Sequence, residues 1–185
     1  MAEFVIVSFY TENTPYEKEA KRLRESLERH NLTYDIRPIP SLKNWRMNCS
    51  RKPFFIREMM DAHPEIPLVW LDADATVEST PTLFGEIDPE KFDIAVHFKG
   101  VELLSGTVWL SGGPGSVKLV EAWMKLDDEK PLVFDQVNLR TVVDRGGFKV
   151  FRLPKEYTFI FDLMKTDGQV VVLHHQASRR LSKLV

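Results

Sequence analysis

Pro67-Leu68-Val69-Trp70-Leu71-Asp72-Ala73-Asp74 (PLVWLDAD) joins four consecutive apolar residues to a pair of carboxylates. A strand with no polar alternate must be covered on both faces, as the central strand of a parallel sheet is. In extended chain, residues i and i+2 share a face, so Asp72 and Asp74 are expected side by side with Ala73 turned away, able to hold one divalent cation. They follow a buried strand directly, where an α/β sheet leaves its binding crevice. Hard oxygen ligands suit Mg²⁺ or Mn²⁺, which in turn neutralise phosphates. A bare Asp-x-Asp also occurs in surface turns whose acids cap the next segment, so the flanking sequence has to decide.

Upstream, Phe4 to Phe9 is β-rich, and Thr14-Pro15-Tyr16-Glu17 reads as a capping box with proline at the first helical position. Tyr16, Ala20, Leu23 and Leu27 recur at helical spacing. Thr33 to Ile39 reads as a strand near an edge, given Pro38 and Pro40. Pro53 opens a second helix carrying Phe54, Phe55, Met59 and Met60. Downstream, Asp93 to Phe98 and Leu103 to Leu110 are further strands, and Ser111-Gly112-Gly113-Pro114-Gly115 breaks the chain before a helix with Val117, Val120, Trp123 and Met124. Asp135 to Asp144 is a short helix, and Phe148 to Leu153 and Val170 to Leu173 close as strands. Strands alternating with helices predict an α/β/α sandwich around a mostly parallel sheet. With 185 residues and 43% hydrophobic content, residues 1–185 are expected to form one domain.

The formal net charge of -2 lacks the bulk field that draws proteins onto nucleic acid or anionic lipid, though a local basic patch is compatible with it. The series Arg37, Lys43, Arg46, Arg51, Lys52 and Arg57 has no acid within it and offers a positive rim for phosphates or an anionic acceptor, although a solvated face is the ordinary outcome. The apolar run in Met1 to Tyr10 is short for a signal peptide, no stretch reaches membrane-spanning length, and the lone Cys49 forms no internal disulfide. Cytoplasmic residence is expected.

At this point the residues resemble a family. Trp70-Leu71-Asp72-Ala73-Asp74 is similar to the Asp-x-Asp motif of GT-A glycosyltransferases, in particular the retaining group of glycogenin and the lipopolysaccharide galactosyltransferases. The resemblance recurs in order: Arg51-Lys52-Pro53 upstream, Leu104-Ser105-Gly106 for Asn-Ser-Gly, Asp135-Gln136 opening a helix, and His174 to Arg180 for the late histidine motif. Leu104, Ala177 and Arg180 stand where the family has asparagine, glycine and lysine.

The resemblance implies a GT-A fold and a Mn²⁺ or Mg²⁺ ion on Asp72, Asp74 and His174, the imidazole nitrogen favouring Mn²⁺. It implies a nucleotide-sugar donor, UDP-linked, whose diphosphate is met by Asp72 through the cation and by Lys52 and Arg180. Asp135 would bond the transferred sugar and Gln136 would lie near the reacting carbon, while Phe9-Tyr10-Thr11 would hold the nucleoside, with Tyr10 against the base. A hexosyl unit would pass with retention to the hydroxyl of a glycan, lipid, protein or nucleic-acid-linked acceptor; if the enzyme inverts instead, Asp135 is the first candidate base. His175 competes with His174: alternation turns only one of them toward Asp74 if the strand runs through both, and says nothing if it ends earlier. Loss of activity is expected as pH falls through the imidazole range.

Two other readings use the same residues. Asp72-Ala73-Asp74-Ala75-Thr76 also resembles the Asp-x-Asp-x-Thr motif of haloacid-dehalogenase-like phosphatases, with Asp72 as nucleophile and Asp74 as acid. That motif normally follows the first strand, and Asp167-Gly168 lacks its partner acid. A transferase-like module that binds nucleotide sugar without turnover is the other.

Overall fold

The computed structural model describes residues 3–181, apart from the side chain of Arg180. In chain order the elements are β1 (Val5–Thr11), α1 (Tyr16–Arg29), β2 (Tyr34–Ile39), α2 (Trp45–Cys49), α3 (Lys52–Ala62), β3 (Leu68–Leu71) and β4 (Ala75–Val77). There follow β5 (Ile94–Lys99), β6 (Glu102–Leu110), α4 (Pro114–Glu129), α5 (Asp135–Asp144), β7 (Val150–Arg152), β8 (Phe159–Ile160), β9 (Val172–His174) and α6 (Ser178–Leu181).

Six strands form the main sheet in the order β2-β1-β3-β6-β5-β7. The pairs β1/β2, β1/β3 and β5/β7 are parallel, and only β6 runs against its neighbours. The reason is local. Two residues, Gly100 and Val101, join β5 to β6, with Gly100 at φ +62°, and so short a link can make only a hairpin; a parallel return needs a crossover of a dozen residues or more.

Side-chain alternation along β1 and β3 divides the interior into two cores. Val5, Val7, Leu68 and Trp70 face α3, α4 and α5, packing with Ile56, Met59, Leu119, Trp123 and Leu139. Ile6, Val69 and Leu71 face α1 and pack with Ala20, Leu23, Leu27 and Phe84. Each such fully buried aliphatic side chain contributes about 1.5–3 kcal/mol of transfer free energy. The α/β/α sandwich expected from the sequence is therefore present, with one addition. A second sheet of order β4-β9-β8 lies on the α1 side, and pairing of Ala75 with His174 carries the late histidine back to the end of β3.

Two local readings are corrected. Asp72 to Asp74 is not extended: the Ala75 amide donates to the Asp72 carbonyl at 2.9 Å, closing a tight turn at the end of β3. The first helix begins one residue later than the capping box predicts, with Thr14 Oγ1 accepting from the Tyr16 amide and Glu17 Oε1 accepting from the Asn13 amide. No helix among the described residues is long and apolar enough to cross a membrane.

Candidate active site

β3 ends on Asp72, β9 ends on His174, and β6 passes between them at Gly106. The Asp72 amide donates to the Gly106 carbonyl at 2.9 Å, which extends the β3/β6 pairing to the acid itself. The turn then brings Asp74 round, so that one ligand atom from each of Asp72, Asp74 and His174 lies within 4.8 Å of the others. A turn thus does what extended chain was expected to do.

Each of the three side chains is anchored by one heteroatom. Asp72 Oδ1 accepts from the Trp70 indole at 2.8 Å and pairs with Lys52 Nζ at 3.0 Å. Asp74 Oδ2 accepts from the Ala177 amide at 2.6 Å, and His174 Nε2 meets Thr107 Oγ1 at 2.9 Å. For Asp72 and His174 the remaining atoms flank a hollow at Gly106. A Cβ on that glycine would lie 3.1 Å from His174 Nδ1 and 3.3 Å from Asp72 Oδ2. Two carboxylates and an imidazole, oriented by second partners around a space kept open by glycine, suit a Mn²⁺ or Mg²⁺ ion. His175 points elsewhere, with Nε2 2.8 Å from Thr76 Oγ1.

Burial drives the His174 pKa down to about 4, so the ring is neutral at physiological pH. Burial and the neighbouring Asp72 carboxylate raise Asp74 to about 6. Asp74 therefore holds its proton more tightly folded than unfolded, and in the metal-free protein it costs stability as pH rises from 3.8 toward about 6. A cation would relieve that cost. Cation affinity is expected to weaken as pH drops through about 6, because Asp74 must lose its proton to bind; His174 stays neutral until about 4 and is not the group that titrates. Calorimetric Mn²⁺ titrations across that interval would show it, and a flat affinity would remove Asp74 from the ligand set.

Beside this cluster opens a cleft of about 440 Å³. Its wall contains Phe9, Tyr10, Thr11, Lys52, Asp72, Asp74, Asp135 and Gln136, so most of the side chains singled out in the sequence converge; His174 is not part of the wall, and the Arg180 side chain is outside the described residues. Tyr10 is half-buried, with the Arg24 guanidinium 5.2 Å from its ring centroid. Phe9 packs edge-on against Phe55 and is tilted against Trp70.

Lys52 is buried at the start of α3, and its ammonium bridges Asp72 at 3.0 Å and Asp135 at 2.7 Å, with Ser105 Oγ and the Ser105 carbonyl each at 3.3 Å. Burial opposes its charge, but the Asp135 and Asp72 carboxylates outweigh burial and hold its pKa above the ordinary lysine value. Solvation on an open face, the ordinary outcome for a basic residue, does not apply to it. Asp135 is the first residue of α5, where an acid complements the helix dipole; it accepts from Ser105 Oγ at 3.0 Å, and its carbonyl accepts from the Trp123 indole. Gln136 is fixed at both ends, accepting from the Ser105 amide and donating to Glu102.

Several contributors were not assigned from sequence. Trp70 is a core residue by pattern, yet its indole N–H reaches Asp72. Thr107 and the Ala177 amide act through pairing that becomes visible only once β6 and β9 are placed. Trp45 and Phe134 join the cleft wall from α2 and the linker before α5, segments without a strong periodic signal.

No family model matches the chain, and no curated protein does. Solved structures do. A glycosyltransferase involved in glycosylation of the major capsid of PBCV-1 superposes with a TM-score of 0.71 at 15% identity, over 94% of this chain and 93% of that one. The glycosyltransferase GlyE of Streptococcus pneumoniae TIGR4 superposes with a TM-score of 0.68 at 17% identity, and its apo form with 0.66; in both the chain covers 54% of GlyE, about half its length. At such identities the likeness speaks for the fold, and the fold of this chain is that of a glycosyltransferase.

Proposed function

We propose that this chain is a metal-dependent glycosyltransferase that moves a hexosyl unit, with retention, from a UDP-linked donor to an acceptor hydroxyl. The observation that carries this reading is the convergence of Asp72, Asp74 and His174 within 4.8 Å of one another, with Asp72 and His174 flanking the hollow at Gly106, beside a cleft and within a glycosyltransferase fold. These three residues would hold Mn²⁺ or Mg²⁺, which when bound neutralises the diphosphate as the sugar leaves. The protein's own groups do the rest. Lys52 keeps the carboxylates of Asp72 and Asp135 at fixed separation, joining the diphosphate side of the cleft to the sugar side. Asp135, charge-balanced by Lys52, is placed to accept hydrogen bonds from sugar hydroxyls, and Gln136 is held rigid next to it by Ser105 and Glu102. Tyr10 and Thr11, at the end of β1, form the part of the wall suited to a nucleoside.

A thermal-shift titration with uridine diphosphate and Mn²⁺ tests the binding half. At a hundredfold excess over the dissociation constant, stabilisation of about 2.7 kcal/mol is expected only when both are present. Turnover should release nucleoside diphosphate from a nucleotide sugar. Release of phosphate from a monoester, with no nucleotide-sugar turnover, would instead support the phosphatase reading, which the glycosyltransferase fold does not favour.

His174→Ala is expected to weaken Mn²⁺ binding by at least about 10–100-fold, the loss that follows removal even of a group that only orients a ligand. His175→Ala, at a half-buried ring whose Nε2 meets Thr76 Oγ1, should leave affinity within about twofold, since the ring is turned away from the hollow. Equal tolerance of both substitutions would leave Asp72 and Asp74 as the protein's only ligands.

A further inference from the structure

The basic series between Arg37 and Arg57 is sorted by the fold. Arg37 pairs with Asp35 and Glu58, Arg57 pairs with Asp61, and Lys52 is buried in the cleft wall. Lys43, Arg46 and Arg51 are exposed and have no carboxylate partner among the described residues. All three lie on or beside α2.

The same place gathers exposed apolar side chains. Among the described residues eight large hydrophobics are exposed, and five of them, Leu42, Met47, Leu132, Phe134 and Val137, occupy two short segments. Leu132, at 57%, is the most exposed of the five. The segments form one surface: Arg46 Nη1 donates to the Leu132 carbonyl at 3.1 Å, its guanidinium lies 4.7 Å from the Phe134 ring centroid, and Trp45 meets Phe134 edge-on at 5.7 Å. Trp45, Phe134 and Val137 also line the cleft, so this surface is its outer lip.

Protruding aliphatic side chains interleaved with unpaired cations are complementary to an anionic interface with an apolar interior. A neutral glycan is served less well. Sugar recognition wants open aromatic faces and hydrogen-bonding side chains, whereas here Arg46 covers one face of Phe134, the Trp45 indole N–H is spent on Tyr16, and Leu42, Met47 and Leu132 offer no polar group. The one acid within these segments, Asp135, is buried and paired with Lys52; the next in sequence, Asp128 and Glu129, end α4, where Glu129 pairs with Lys125 and Lys130 follows them.

We propose that the lip built by residues 42–51 and 132–137 seats the protein on an anionic lipid bilayer, so that the acceptor presented to the cleft is lipid-borne. The second clause rests on the transferase reading; the first does not. A net charge of -2 is no obstacle, because surface attraction fades within a Debye length and is set by the cations nearest the bilayer.

The test is co-sedimentation of the full chain with vesicles of phosphatidylcholine alone and of phosphatidylcholine mixed with phosphatidylglycerol. Binding should appear with the anionic lipid, fall with added salt, and weaken about fivefold for each cation neutralised. The variant Arg46→Gln/Met47→Ser/Leu132→Ser should abolish it while metal-dependent hydrolysis of a soluble nucleotide sugar is retained, which also shows that the variant folds. Lys21→Gln, on α1 across the sheet, should change nothing. Equal binding to neutral and anionic vesicles, absence of binding, or binding that survives the triple substitution overturns the proposal, as does capture of a soluble neutral glycan by the lip. Vesicle binding without any nucleotide-sugar turnover would overturn the transferase reading and leave the membrane surface standing.

Discussion

Lys52→Met is expected to lower the stability of the folded protein by about 3–5 kcal/mol, the cost of stranding a buried charge by removing its partner. The side chain of Lys52 is 6% exposed and that of Asp135 is 9%, so water cannot replace the ammonium that lies 2.7 Å from the carboxylate. The other arm counts for less, because Asp72 is 37% exposed and solvent screens that pair. Methionine preserves most of the volume and removes only the ammonium, which also lies 5.3 Å from the Trp70 ring centroid, so the loss reports the charge. Chemical denaturation of the metal-free protein would read the loss. Adding Asp135→Leu should restore part of it, since replacing both members of a buried pair by apolar groups is often nearly neutral. Turnover should vanish in both variants, because Asp135 either loses its fixed position or is gone. A stability loss below about 1 kcal/mol would mean that the bridge is a solvated surface pair, and the role given to Lys52 would fall with it.

Much of this arrangement could be read from local sequence, and the exceptions share a physical cause. Leu68 to Leu71 announced a strand covered on both faces, and Val5, Ile6 and Val7 do divide between two cores. Proline and glycine punctuation located α3 and α4 closely, and the acids at 72 and 74 stood out by chemistry and by position. What could not be read depends on pairing between distant segments. Nothing in Ala75-Thr76-Val77 marks it as a partner of Val172 to His174, because three residues carry too little periodicity to register as a strand. Without that pairing the alternation argument for His174 over His175 had no anchor, since β9 ends at His174 itself. The basic series shows the same limit: its six cations have no intervening acid, and only the fold separated those paired across elements, Arg37 with Glu58, Arg57 with Glu121 and Lys52 with Asp135, from those left at the cleft mouth. Charge pattern alone did not tell Lys52 from a solvated residue; its burial follows from β6 and α5 closing over it.

Gly106→Ala is expected to abolish divalent-cation binding while the protein remains folded. The added Cβ would stand 2.8 Å from His174 Cε1, closer than such atoms approach, as well as 3.1 Å from Nδ1 and 3.3 Å from Asp72 Oδ2. Relief has to come from the ring, and the ring is not free to give it. His174 is 3% exposed and fixed through Thr107, so its displacement breaks that hydrogen bond and swings Nδ1 away from the hollow. The strand itself accepts alanine, because Gly106 sits within β6 and is not among the residues with positive φ. Overpacking of this kind costs about 1–3 kcal/mol, short of unfolding a domain of this size. The functional loss should be larger in proportion: a methyl group occupying the space between two ligand atoms removes the cation from all three, so Mn²⁺ affinity should fall more than about 100-fold, beyond what loss of a supporting hydrogen bond does. Thermal shifts with Mn²⁺ and uridine diphosphate would then be absent, although the unliganded melting transition stays cooperative. Ser105→Ala, one residue away on the opposite face of β6, serves as the contrast, since it touches Lys52 and Asp135 but not the hollow. Full cation affinity in Gly106→Ala would place any metal away from His174 and dissolve the three-residue site.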